Sequence, residues 1–145
     1  MTEYGANLRD QNGATPLHHA AFGGYLDCLR FLLENGAVVD AVDRQGISAL
    51  HIACFQGHLP AVKALLLYGA QINLTDKIGE TGLHKATLYD HSETVEHLLA
   101  NGAEVDARTN ENKTCLQLAS QLGYEKCVKV NTALQQPPVS LNYFL

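Results

Sequence analysis

Apolar residues along this chain fall in two short helical stripes, and the pair of stripes returns every 33 residues. In the stretch from Asp43 to Thr75, Leu50, Ala53 and Cys54 stand at i, i+3 and i+4, one face of a short helix. Val62, Leu65 and Leu66 make a second stripe. Polar punctuation separates them. Asp43-Arg44-Gln45-Gly46 reads as a turn, with Gly46 free to take a positive φ. Ser48 then reads as an N-cap, and Gly57 stops the first helix. The second helix begins near Leu59, tolerates Pro60 in its first turn, and stops at Gly69. A loop from Ala70 to Thr75 leads to the next turn.

The same punctuation recurs in phase. Asp10, Asp43 and Asp76 open successive units, with Thr109 in the fourth place. Gly13, Gly46 and Gly79 follow, then Leu17, Leu50, Leu83 and Leu116, with His18, His51 and His84 beside the first three. Gly36-Ala37, Gly69-Ala70 and Gly102-Ala103 mark the far ends. Helices this short are marginal in isolation, so the period predicts a stack in which neighbours bury each other's stripes. A Leu→Ala change at Leu50 or Leu83 is expected to cost about 2–5 kcal/mol.

The strings "DQNGATPLHHAAFGGYLDCLRFLLENGA", "DRQGISALHIACFQGHLPAVKALLLYGA" and "DKIGETGLHKATLYDHSETVEHLLANGA" resemble the ankyrin repeat, with a decayed copy in "TNENKTCLQLASQLGYEKCVKV". The resemblance covers roughly residues 10–130. It implies an all-α solenoid of stacked helix pairs with protruding β-hairpin-like loops, protein–protein recognition, and no chemistry of its own. The expected division is an N-terminal segment or remnant of a preceding repeat (1–9), three repeats (10–42, 43–75, 76–108), a degenerate capping repeat (109–132) and an apolar tail, extended or docked (133–145). The leucine pairs Leu32-Leu33, Leu65-Leu66 and Leu98-Leu99 give way to Asn131-Thr132, so the last helix is expected to stop early or face water. Asp90 and Asn112 replace turn glycines and are expected to keep the turns, since Asp and Asn visit positive φ at modest cost.

If in-phase matching positions build the stack, the non-matching ones carry recognition. By resemblance, the family's concave surface maps here onto Phe22, Phe55, Gln56, Leu88 and Tyr89 of the first helices. It also takes in Arg44, Gln45, Ile47, Lys77, Ile78, Glu80, Asn110, Glu111 and Lys113 of the hairpin tips. Phe22, Phe55 and Leu88 would form an apolar ladder with Arg44 and Lys77 at its flank, the kind of aromatic cluster ringed by polar groups that anchors interfaces. Loops of this family are hydroxylated at the Asn of Gly-Ala-x-x-Asn, which singles out Asn73 as a possible hydroxylation site.

Composition narrows the rest. Hydrophobic content of 46% and charged content of 17% over 145 residues describe a globular chain. A net charge of −5 argues against nucleic acid, although Arg44, Lys77 and Arg108 could form a modest basic line. No run of about 18 apolar residues would cross a membrane. Cys28, Cys54, Cys115 and Cys127 form no CxxC pair and read as buried, reduced thiols of a cytoplasmic or nuclear protein. Three in-phase histidines suggest a metal site, but stacked helices lie about 8–10 Å apart and zinc needs its ligands about 2 Å from one point. Their rings are expected to bond turn backbone instead; His58 and His91 are expected at the surface. No phosphate loop, nucleophile elbow or paired-carboxylate signature is present. The expectation is therefore a non-enzymatic scaffold or adaptor without cofactor or metal, binding a protein or peptide, with a monomer favoured. The alternative is a targeting or regulatory ankyrin domain of a larger enzyme or channel.

Overall fold

The computed structural model describes residues 2–135. Within them the chain forms α1 (Glu3–Ala6), α2 (Pro16–Gly23), α3 (Leu26–Glu34), α4 (Ala49–Gln56), α5 (Leu59–Leu67), α6 (Gly82–Leu88), α7 (Ser92–Ala100), α8 (Cys115–Leu122) and α9 (Glu125–Gln135). The first helices of each unit, α2, α4, α6 and α8, pack in one row; α3, α5 and α7 pack in the second, which α9 joins through α7. The expected all-α repeat stack is therefore what the chain forms. Its hairpin tips hold together by backbone bonds rather than by strands. One isolated bridge joins Val42 to Ser48. Each tip donates one N–H to the tip before it, Arg44 to Asn12, Lys77 to Gln45 and Asn110 to Ile78, all at 3.0 Å.

Each first helix begins on the same device. Ser48 Oγ accepts the N–H of His51, and His51 Nδ1 accepts the N–H of Ser48. Thr81 and His84 repeat the exchange, and Thr114 does so with Gln117 Oε1. This is a capping box in which histidine stands where Glu or Gln usually does. The tight turns that end these helices need a left-handed residue. Gly24, Gly57 and Gly123 supply it, and Asp90, at φ 58°, does so in the third unit.

Leu17, Leu29, Leu32, Leu50, Leu65, Leu83 and Leu98 with small alanines fill the space between the rows. Three sequence expectations need correction. The last helix does not stop at Asn131 but runs to Gln135, and the Asn131 side chain is buried, not solvated. Cys28 is exposed, whereas Cys54, Cys115 and Cys127 are buried. Cys28 shares its phase with Ala61, Thr94 and Cys127, all buried; no helix pair stands in front of the first repeat, among the described residues, to cover it. His58 and His91 are not free surface groups, since their Nε2 atoms reach Phe22 O and Phe55 O of the preceding repeat at 3.1 and 2.9 Å. Ala6 of α1 is fully buried. The Asn7 amide beside it binds Gly36 O and the Val38 N–H, so the N-terminal segment is stitched to the first repeat. The tail beyond 135 falls outside the described residues.

Candidate functional site: a groove across hairpin tips and first helices

The hairpin tips and the solvent side of the first helices share one face. The turns that present the tips are locked by their own carboxylates. Asp43 Oδ1 accepts the N–H groups of Gln45 and Ile47, and Asp76 Oδ1 those of Ile78 and Glu80. The chain thus fixes the backbone from which the tip side chains project.

Four of the anticipated residues, Phe22, Ile47, Phe55 and Gln56, come together around a groove of about 210 Å³ that His51, Ile52 and Lys85 complete. Phe22 is 61% exposed at one wall. The Phe55 ring lies against Tyr89 instead, with centroids 4.2 Å apart and planes tilted by 53°. The ladder is therefore interrupted: its second rung leans toward the third repeat and the space beside Phe22 stays open. Arg44, Gln45, Lys77, Ile78, Tyr89, Asn110 and Glu111 are exposed, while Ile47, Phe55, Gln56, Glu80, Leu88 and Lys113 are half-buried. Two tip residues are engaged in holding the fold. Asn110 Nδ2 donates to Lys77 O at 2.9 Å. Glu80 Oε1 takes a bond from Lys85 Nζ at 2.7 Å.

Lys85 is the residue that sequence reasoning overlooked. Its phase is held by His19, Ile52 and Leu118 in the other units, and such variability suggests a solvent-facing site. Instead Lys85 is 8% exposed, with Nζ 2.6 Å from Asp76 and 2.7 Å from Glu80. Burial pushes Asp76 up, but the Lys85 ammonium and the Glu80 amide outweigh it and hold its carboxyl below the ordinary value. Burial likewise pushes Lys85 down, and the two carboxylates more than reverse it. Removing one member of such a buried cluster strands the others, at a typical cost of about 3–5 kcal/mol. One signal was available: Lys85 lies nine residues after Asp76, the spacing that also brings His19 to Asp10 at 3.0 Å.

His18, His51 and His84 do not converge on one another. Their Nε2 atoms meet main-chain carbonyls of the following turn: Ile47 at 2.8 Å, Leu74 at 2.8 Å with Glu80 at 3.2 Å, and Lys113 at 3.2 Å. Because Nδ1 accepts a backbone N–H, the proton sits on Nε2 and donates. Burial holds all three below their ordinary pKa. Among the described residues no three of His, Cys, Asp and Glu are placed to hold a metal ion. The buried thiols are far from nucleophilic, Cys115 and Cys127 being pushed up to about 12 by burial. No described helix is long and apolar enough to cross a membrane. Asn73 is half-buried, its Oδ1 accepting the Glu104 N–H at 2.9 Å and its Nδ2 at 3.4 Å from Gly102 O. It therefore braces two loops.

Comparison with known proteins agrees with the repeat architecture. A family model described as ankyrin repeats in three copies matches residues 2–76 and again residues 57–130. A segment of 36 residues, 25% of the chain, is 58% identical to part of the E3 ubiquitin-protein ligase XB3 of Oryza sativa subsp. japonica, covering 8% of that protein. Another match of 36 residues, again 25% of the chain, is 53% identical to ankyrin repeat domain-containing protein 49 of Bos taurus and covers 15% of it. Each match thus spans a small fraction of the relative's length.

Proposed function

This chain belongs to the ankyrin repeat family, whose members are generally protein–protein interaction modules, and from that premise we propose that it is a non-catalytic scaffold or adaptor. Its partner, a protein or peptide, binds on the face formed by the hairpin tips and first helices. The observation that carries this reading is the open apolar groove between Phe22 and Phe55, set among tip residues already locked by Asp43 and Asp76. A preorganised surface loses little conformational freedom on binding. The cytosol or nucleus suits a chain whose four cysteines stand unpaired.

Affinity capture from cell lysate tests it, comparing the wild type with a Phe22/Phe55/Tyr89 triple alanine. The variant is expected to lose the wild type's partners while melting within a few degrees of it. Retention of every partner would place binding on another face. A single Phe55→Ala is expected to weaken the captured complex with little loss of stability; a large loss would mark that ring as core.

A second reading, in which these repeats target or regulate a larger enzyme or channel, draws on one matched relative being named an E3 ubiquitin-protein ligase. A longer open reading frame around these residues would support it. Asn73 is proposed as a hydroxylation site. Its amide braces Glu104 and Gly102, so modification requires the loop to open; intact mass after incubation with an asparaginyl hydroxylase decides.

A further inference from the structure

The groove is the size of one side chain. An apolar cavity of about 150 Å³ accepts a benzene ring, and the groove holds about 210 Å³. Phe22, Ile47, Ile52 and Phe55 give it apolar walls. The aliphatic stem of Lys85 serves as floor, because its ammonium is tied to Asp76 and Glu80. Phe55 pairs with Tyr89, and among the described residues no ring stacks on Phe22.

The chain as a whole carries −5, but the carboxylates near the groove are engaged. Asp43 is taken by the turn amides of Gln45 and Ile47, Asp76 by Lys85 and turn amides, and Glu80 by Lys85. Arg44 and Lys77, on adjacent tips joined by the Lys77 N–H to Gln45 O bond, are exposed and pair with no carboxylate among the described residues. Arg44 and Lys77 are therefore uncommitted positive charges on the two tips that flank Ile47, while the exposed carboxylate of Glu111 lies one tip further on. The floor cluster, two carboxylates against one ammonium, keeps a ligand's acids away from Lys85 and directs them to the tips.

Resting on the binding face proposed above, we infer that the ligand is an acidic peptide segment. One phenylalanine or leucine fills the groove between Phe22 and Phe55, and flanking Asp or Glu residues meet Arg44 and Lys77. Arg44 and Lys77 on the tips select the ligand's sign and the groove selects its anchor.

Fluorescence anisotropy on the full chain tests this with a dye-labelled probe, a Gly-Ser peptide with a central Phe flanked on both sides by paired Asp. Companion probes replace the Phe with Ala, or the Asp residues with Lys or Ser. The Asp–Phe probe is expected to bind, about tenfold or more tighter than its Ala counterpart. The double variant Arg44→Glu, Lys77→Glu, at two exposed positions, is expected to weaken it about tenfold and to favour the Lys probe. Phe22→Ala, checked by its melting curve, is expected to weaken every Phe probe alike. No binding of the Asp–Phe probe at millimolar concentration overturns the inference, as does equal or tighter binding of the Ser or Lys probe to the wild type. In either case the face itself still stands if lysate partners are lost with the triple alanine. Probe binding indifferent to Phe22→Ala, together with lysate partners retained by the triple alanine, removes both.

Discussion

One imidazole per repeat links two levels of this structure. His51 Nδ1 completes the cap of its own helix, and Nε2 donates to the carbonyls of Leu74 and Glu80 in the next turn. The fourth repeat shows what happens when only half is kept, since Gln117 caps through Oε1. His51→Gln is thus expected to keep the helix start but strand the Leu74 carbonyl, while Glu80 O keeps the Asp76 N–H, costing about 1–3 kcal/mol by urea denaturation; an unchanged midpoint would mean that the inter-repeat bond contributes nothing. Asn131 is the opposite case. It is fully buried where the other units carry Leu32, Leu65 and Leu98. Its Nδ2 donates to Cys127 O, and its Oδ1 has no donor among the described residues. Asn131→Leu is expected to raise stability by about 1–3 kcal/mol, because an unsatisfied buried acceptor disappears and apolar surface takes its place. A lowered melting temperature would show instead that the pocket is too narrow for the branched side chain.

Helices in the first row approach closely because small residues face each other. A Cβ added at Gly82 of α6 would lie 3.0 Å from Cys54 Sγ of α4. The missing proline of the third repeat and the sulfur of the second are therefore one packing unit. Gly82→Ala alone gains helix propensity of about 0.5–1 kcal/mol and loses a comparable amount to the clash. In a Cys54→Ala background the clash is gone and the same change is expected to stabilise by about 0.5–1 kcal/mol. A double-mutant cycle measured by chemical denaturation reads the coupling directly; strict additivity would refute the pairing. At this scale much was legible beforehand. Ser48, Gly57 and Asp90 announce where helices begin and turn. The reach of His58 and His91 to the preceding repeat was not, because it needs the stacking distance as well as the spacing.

Across the whole molecule the buried histidines couple folding to pH. Burial holds His18, His51 and His84 below their ordinary pKa, so they stay neutral in the folded chain. Unfolding releases them to about 6.5, and the unfolded chain then binds more protons. Their contribution is complete above about pH 6.5 and is lost as pH falls from there through their folded values, at up to about 1.4 kcal/mol per pH unit for each ring. The urea midpoint is expected to fall between pH 7.5 and 5, and less steeply for His51→Gln. A midpoint that is flat or rises over that range contradicts the assignment. Asp76 adds a second, more acidic phase of the same sign, since its depressed carboxyl contributes fully above its unfolded pKa and loses that contribution as pH falls through the folded value.

The repeat period, the helix pairs, their caps and the leucine phases follow from local rules that act over a few residues, and a chain read alone contains them. Which variable positions face solvent does not follow from those rules. Lys85 and Glu80 stand in recognition-like places yet close on each other and on Asp76. Cys28 stands at a packing phase yet lies open, and Asn131 looks like a helix end yet is enclosed. Each outcome depends on what a neighbouring repeat places against that side chain. Exposure is a property of pairs of stacked units, and only the assembled stack sets which groove stays open.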